Sequence, residues 1–320
     1  MLALAACGGR NGGGTAGGGP VGNQGEPAAP AFVGSLPVDL VALDMTTLVF
    51  VRVAADGVRE LRRLEMPDAI EQVAWASPDE LYVRLADGGV QVVRGGEAAA
   101  VALPPDEAWQ VPNPQPGGDL EPLARDELRI DPDGGAWLGR CQWGIPYDAG
   151  YCEVWTWARL VPGATVGTEA PATREPTPWR LGPPPGVELS LVPSRAGDRD
   201  EPVDLMRCQS GGVSAEYPDP DGRADPDFYG MELGRWLAHD PPIYLAARLE
   251  PGFDAYSEDW HLFLACEPTP MAAHVNYELG PAGVWAFSSE GEPWKIQVEG
   301  REVGQLPGEL YSLTFAPPRP

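Results

Sequence analysis

Residues 128–141, LRIDPDGGAWLGRC, read as strand, tight polar turn, strand. The turn Asp131-Pro132-Asp133-Gly134-Gly135 cannot continue regular structure. Proline has no backbone N–H to give, and the two glycines accept the left-handed backbone that a short reversal needs. The flanks are short and rich in apolar residues, as an antiparallel hairpin requires.

The same unit recurs as VAWASPDELYVRL (73–85), LSLVPSRAGDRDEPVDLMRC (189–208), LAARLEPGFDAYSEDWHLFLAC (245–266), VNYELGPAGVWAFS (275–288) and LYSLTFAPP (310–318). Each carries a strand, a proline a few residues later, a polar turn of variable length and usually a second strand. The marker prolines are Pro78, Pro132, Pro193, Pro251, Pro281 and Pro317, at irregular intervals. Such a unit can bury one face of its sheet only by stacking on a neighbour. The expected fold is therefore all-β, a β-propeller of six to seven blades over residues 36–320; about 45 residues per blade favours six. A pair of β-sandwiches is the alternative. The strand LYSLTFA is expected to be the first of a blade whose remaining strands come from residues 39–64.

The pattern, DPDGGAWLG above all, resembles propeller repeats of the WD or quinoprotein type. It lacks their diagnostic dipeptides and tryptophan positions, so the resemblance implies the architecture and leaves the family within it open.

Other local signals agree with strands. LVFVRV (48–53), LYVRL (81–85), VQVV (90–93) and AAAVAL (98–103) are β-prone, and ADGGV and VRGGE mark tight hairpins. One segment breaks the rhythm. Tyr229, Leu233, Trp236 and Leu237 recur at helical spacing, so a short helical insertion is expected near 227–239, with Asp227 as its N-cap. VRELRRLEM (58–66) can also be read as helical, stopped by Pro67.

Composition bounds the function. The 320 residues are 43% hydrophobic, enough for a core. The net charge of −25 repels phosphate backbones and excludes nucleic acid as a partner. Lys295 is the only lysine, a sign of GC-rich coding. No run of 18 apolar residues occurs to cross a membrane as a helix.

Five cysteines leave one over if four pair within the fold. Leu4-Ala5-Ala6-Cys7 resembles the lipobox of bacterial lipoproteins, in which cleavage before the cysteine exposes it for acylation. The glycine-rich stretch after it strengthens the likeness. The resemblance implies that residues 1–6 are the remnant of a signal peptide and that Cys7 is the lipid attachment site. Residues 7–35 then form a flexible tether. Gly8, in place of Asp after the cysteine, implies sorting to the outer membrane. An exported compartment permits disulfides. Four cysteines allow three pairings; the favoured one joins Cys141 to Cys152, closing a hairpin, and leaves Cys208–Cys266 to tie two units.

Two stretches could hold a ligand. In YPDPDGRADPDFYG (217–230), Asp219, Asp221, Asp225 and Asp227 surround Gly222. This is similar to the calcium loops of EF-hands and thrombospondin-type repeats, which implies calcium as a possible cofactor. Arg223 and the lack of a following bidentate Glu depart from that pattern. In CQWGIPYDAGYCEVWTW (141–157), Tyr151, Glu153, Trp155 and Trp157 share one strand face by period two. An aromatic row with a carboxylate suits stacking on a sugar or peptide; packing between blades is the competing explanation. Zinc is not expected, because His239, His261 and His274 lie at no ligand spacing from a cysteine. Nucleophile elbows, phosphate loops and dinucleotide fingerprints are absent. The expected function is an envelope lipoprotein that binds or scaffolds a protein or carbohydrate through loops on one face. An envelope hydrolase or lyase with a carboxylate site, assisted by calcium, is the competing class.

Overall fold

The computed structural model describes residues 35–319, apart from 147–150, 162–163, 172–180, 195–201, 219–226, 252–255, 268, 290 and 308–309. Among the described residues the protein is all-β, with one short helix, α1 (Asp106–Trp109).

The strands form six small antiparallel sheets. The first joins β1 (Val38–Asp44), β2 (Thr47–Ala54) and β3 (Gly57–Glu65) to the C-terminal strand β22 (Ser312–Phe315), which pairs with β1. The second contains β4 (Ile70–Ser77), β5 (Glu80–Leu85), β6 (Val90–Arg94) and β7 (Glu97–Ala100). The third contains β8 (Asp126–Ile130), β9 (Ala136–Ile145), β10 (Tyr151–Arg159) and β11 (Val166–Gly167). Three strands make the fourth, β12 (Val187–Ser194), β13 (Val203–Ser210) and β14 (Val213–Tyr217). Three more make the fifth, β15 (Gly230–His239), β16 (Pro242–Pro251) and β17 (Tyr256–Leu264). The sixth is β18 (Val275–Leu279), β19 (Val284–Ser289), β20 (Trp294–Val298) and β21 (Arg301–Leu306). Within each sheet, neighbours in sequence are neighbours in space; only β22 returns from afar.

Turn chemistry sets the registers. Gly95 and Gly96 have φ of 56° and 102° and link Arg94 to its partner Glu97. Positive φ at both central residues is the type I′ geometry whose twist matches the strands it joins.

Alternation along the strands explains how such small sheets bury both faces. Val41, Leu43, Leu48 and Phe50 of the first sheet pack with Leu81, Val83 and Leu85 of the second. Leu40, Ala42, Val49 and Val51 point the other way and pack with Val284, Ala286 and Ile296 of the sixth. The fifth sheet does the same. Tyr244 and Ala246 join Leu205 and Met206 of the fourth sheet, while Ile243 and Leu245 join Trp285 and Phe287 of the sixth. Tyr82 and Val90 of the second sheet meet Leu128 and Leu138 of the third. Gln72 reinforces that contact: its Nε2 donates to the Leu128 carbonyl at 3.1 Å, and Leu128 N–H donates back to Oε1 at 2.8 Å. Among the described residues, no comparable apolar cluster joins the third sheet to the fourth.

Two sequence expectations need correction. Residues 230–239, expected as a helix, are strand β15. Two register shifts interrupt its pairing with β16, leaving Gly234 and Leu237 without opposite numbers. Each extra residue resets the alternation, so Leu233, Trp236 and Leu237 take on helical spacing within a bulged strand. Residues 57–65, readable as a helix, are strand β3. The first correction also re-frames one of the repeat units. The unit at 245–266 spans the second and third strands of its sheet, not the first and second, and the turn between the first and second contains Pro241, not Pro251.

Candidate functional site

The bulged start of the fifth sheet faces the first strand of the fourth across a cleft of about 750 Å³. Glu188, Leu189 and Ser190 of β12 form one wall, and Leu233, Arg235 and Trp236 of β15 the other. The floor is apolar: Trp236 and Tyr244 are both buried and meet edge to face at 5.0 Å. Burial pushes the Tyr244 hydroxyl well above the usual phenol range, so it is neutral at any physiological pH. The segment before β12 is pinned to this wall. Leu181 bridges Trp236 through the backbone, and His239 Nε2 lies 2.7 Å from the Gly182 carbonyl. The bulge needs glycine here, because a Cβ on Gly234 would lie 2.2 Å from the Leu245 carbonyl oxygen. The cleft is thus a fixed groove with an apolar floor and one charge of each sign on its walls, of the size that holds a small molecule or a short peptide segment.

A second cluster sits where the edge strands β14 and β17 of the same two sheets approach one another. Asp259 and His261, two residues apart on β17, project from one strand face. His261 is buried, and its Nε2 lies 2.6 Å from Asp259 Oδ2. On the other side of the ring, the Tyr217 hydroxyl lies 3.1 Å from Nδ1. His274 reaches the same carboxylate oxygen with its Nδ1 at 2.8 Å. It comes from the loop after β17, which folds back because Leu262 N–H donates to the Ala272 carbonyl at 2.9 Å and receives Met271 N–H at its own. Burial opposes ionisation of Asp259, but hydrogen bonds and charge from His261 and His274 outweigh it and hold the carboxyl below its usual value.

Both disulfides join the expected partners, Cys141 with Cys152 and Cys208 with Cys266. The second ties β13 to the turn after β17, at the root of the loop that carries His274.

The sequence-derived candidates fall elsewhere. Cys7 lies outside the described residues, as do Asp219, Asp221 and Asp225 of the acidic loop; Asp227 alone is described, in a turn before β15. The aromatic row is not continuous at the surface. Tyr151 and Glu153 are exposed, but Trp157 is fully buried, stacked on Trp155 at 5.3 Å and lying over Gly139. Register shifts around Val154 account for the break in period two. The Arg129 guanidinium sits 4.7 Å from the Trp157 ring, a cation–π contact that completes this packing.

Carboxylates on the first strands of the second and third sheets lie beside arginines. Glu71 pairs with Arg84, and Asp126 lies 3.7 Å from Arg140. Asp126 is nonetheless raised, chiefly by burial. Glu278 on β18 stands apart: burial pushes it up to about 7, only partly offset by a hydrogen bond from Thr314 of β22.

No protein-family model matches this chain, and no curated protein is similar to it. Among solved structures there is a weak likeness to a protein of unknown function from Bacteroides caccae, at TM-score 0.35 and 12% identity. It covers 88% of this chain and 99% of that one. A eukaryotic initiation factor is similar at TM-score 0.24 and 9% identity, covering 84% of this chain and 61% of that one. At these values neither likeness carries over a ligand or a reaction. No helix among the described residues is long and apolar enough to cross a membrane.

Proposed function

We propose that the six sheets are the blades of a six-bladed β-propeller, and that the protein is a lipid-anchored binding module of the cell envelope. Three observations support the ring: the sheets follow chain order, β22 completes the sheet begun by β1, and the first and fifth sheets each pack on a neighbour through both faces. Paired sandwiches would need broader sheets than these three- and four-stranded units. The lipobox-like residues Leu4 to Cys7 support attachment to the outer membrane through Cys7, and two disulfides suit an oxidising compartment.

The cleft between β12 and β15 carries the binding reading. Its apolar floor gives a ligand something to desolvate against, while Glu188, Ser190 and Arg235 supply oriented polar contacts. A sugar or a short peptide segment meets both demands.

Glycan and peptide arrays probed with the full chain test this reading. Ser190 is exposed on the cleft wall, so Ser190→Trp puts an indole into the groove without disturbing the core. The expected result is a ligand set kept by the wild type and lost by Ser190→Trp at unchanged thermal stability. Binding that survives the substitution overturns the cleft as the site.

A further inference from the structure

From the convergence of Asp259, His261 and His274 we infer a binding site for one divalent transition ion of the zinc class, a site separate from the cleft. Three donor atoms, Asp259 Oδ2, His261 Nε2 and His274 Nδ1, lie within 4.8 Å of one another. Two imidazoles and a carboxylate form the donor set that zinc and its first-row neighbours prefer; calcium and magnesium prefer oxygen alone.

The surroundings are those of a built site. Asp259 and His261 come from one regular strand, so their relative position is fixed by the pleat. Tyr217 holds the far nitrogen of His261, the role an outer partner plays when it sets the tautomer and orientation of a ligating imidazole. With a metal on Nε2, the Nδ1 proton would be donated to the Tyr217 oxygen. The ion would take the place of the protons now lying between the carboxylate and the two rings. Donors around a zinc ion at about 2.1 Å stand roughly 3.4 Å apart, so the contacts of 2.6 and 2.8 Å must open by roughly 0.6 to 0.8 Å. His274 can supply the second of these, because its side chain is 69% exposed and lies on a loop; the first needs the Asp259 carboxylate to turn about its own side-chain bonds, with the strand left in place. The exposed side leaves a fourth position for water. The net charge of −25 further favours capture of a cation.

The test is titration of chelator-stripped full-length protein with Co²⁺, followed by its visible ligand-field absorption, and with Zn²⁺ by calorimetry, using Ca²⁺ as competitor. The expected result is one Co²⁺ per chain with a tetrahedral or five-coordinate spectrum, displaced by Zn²⁺ and indifferent to Ca²⁺. His274→Ala, at an exposed position, should keep the fold and weaken binding by more than about 100-fold, and Tyr217→Phe by about 10- to 100-fold. No spectrum at all, displacement by Ca²⁺, or a His274→Ala protein that binds as tightly as the wild type overturns the proposal.

Discussion

Leu40 and Phe315 are antiparallel Cα partners, so a strand from one end of the fold is completed by a strand from the other. Phe315 also covers Gly280, where a Cβ would lie 2.6 Å from its ring. The contact locks the sixth sheet to the first. Phe315→Ala should cost about 3–5 kcal/mol, measured by urea unfolding, through lost burial and the cavity left over Gly280.

The two disulfides differ in what they restrain. Cys208–Cys266 spans 58 residues and Cys141–Cys152 spans 11. Loop-closure entropy assigns about 4 kcal/mol to the longer link and about 3 to the shorter. Replacing Cys208 and Cys266 by Ala should therefore lower the melting temperature more than replacing Cys141 and Cys152, as read by calorimetry.

Glu278 gives the fold a pH dependence. Its folded value of about 7 lies above its ordinary 4.5. Below both values the group is protonated in both states and contributes nothing. Between them only the folded state keeps the proton, so stability falls as pH rises through this window, and the loss is complete above it. Glu278→Gln should stabilise the protein by about 2 kcal/mol near pH 8, allowing for residual solvent contact, and should have almost no effect near pH 4. Urea midpoints at the two pH values check this.

Gly234 is the residue on which the cleft wall turns. Gly234→Ala places a methyl group against the Leu245 carbonyl, and backbone cannot step aside as a side chain can. We expect a loss of about 1–3 kcal/mol, by thermal unfolding, together with weaker retention of whatever ligand the arrays identify.

Lipid attachment is tested in cells with labelled palmitate. The precursor should take up label, and Cys7→Ala should abolish it; equal labelling of the two excludes the anchor.

Much of the architecture could be read from residues, because turns announce themselves. The glycine pairs and Asp-Gly turns of the second sheet marked its hairpins, and the favoured one of three possible cysteine pairings is the one formed. What could not be read was register. The bulges at Gly234 and Leu237 gave β15 the spacing of a helix, and no local propensity encodes a bulge imposed by the facing strand. The His–Asp cluster was missed for another reason. Asp259-x-His261 is visible as a pair on one strand face, but His274 joins it only through the backbone bridge between Leu262 and Ala272. Looking for histidines near cysteines pointed away from it. A carboxylate two residues from a histidine, inside a predicted strand, was the signal available.

The pairing of β22 with β1 bears on biosynthesis. β1 is translated long before β22, and one of its edges stays bare until β22 has followed. Chains cut short at any intermediate point present that bare edge, with Leu40, Ala42 and their neighbours uncovered. Until that pairing forms, the bare edge is a template on which a strand of another chain can add.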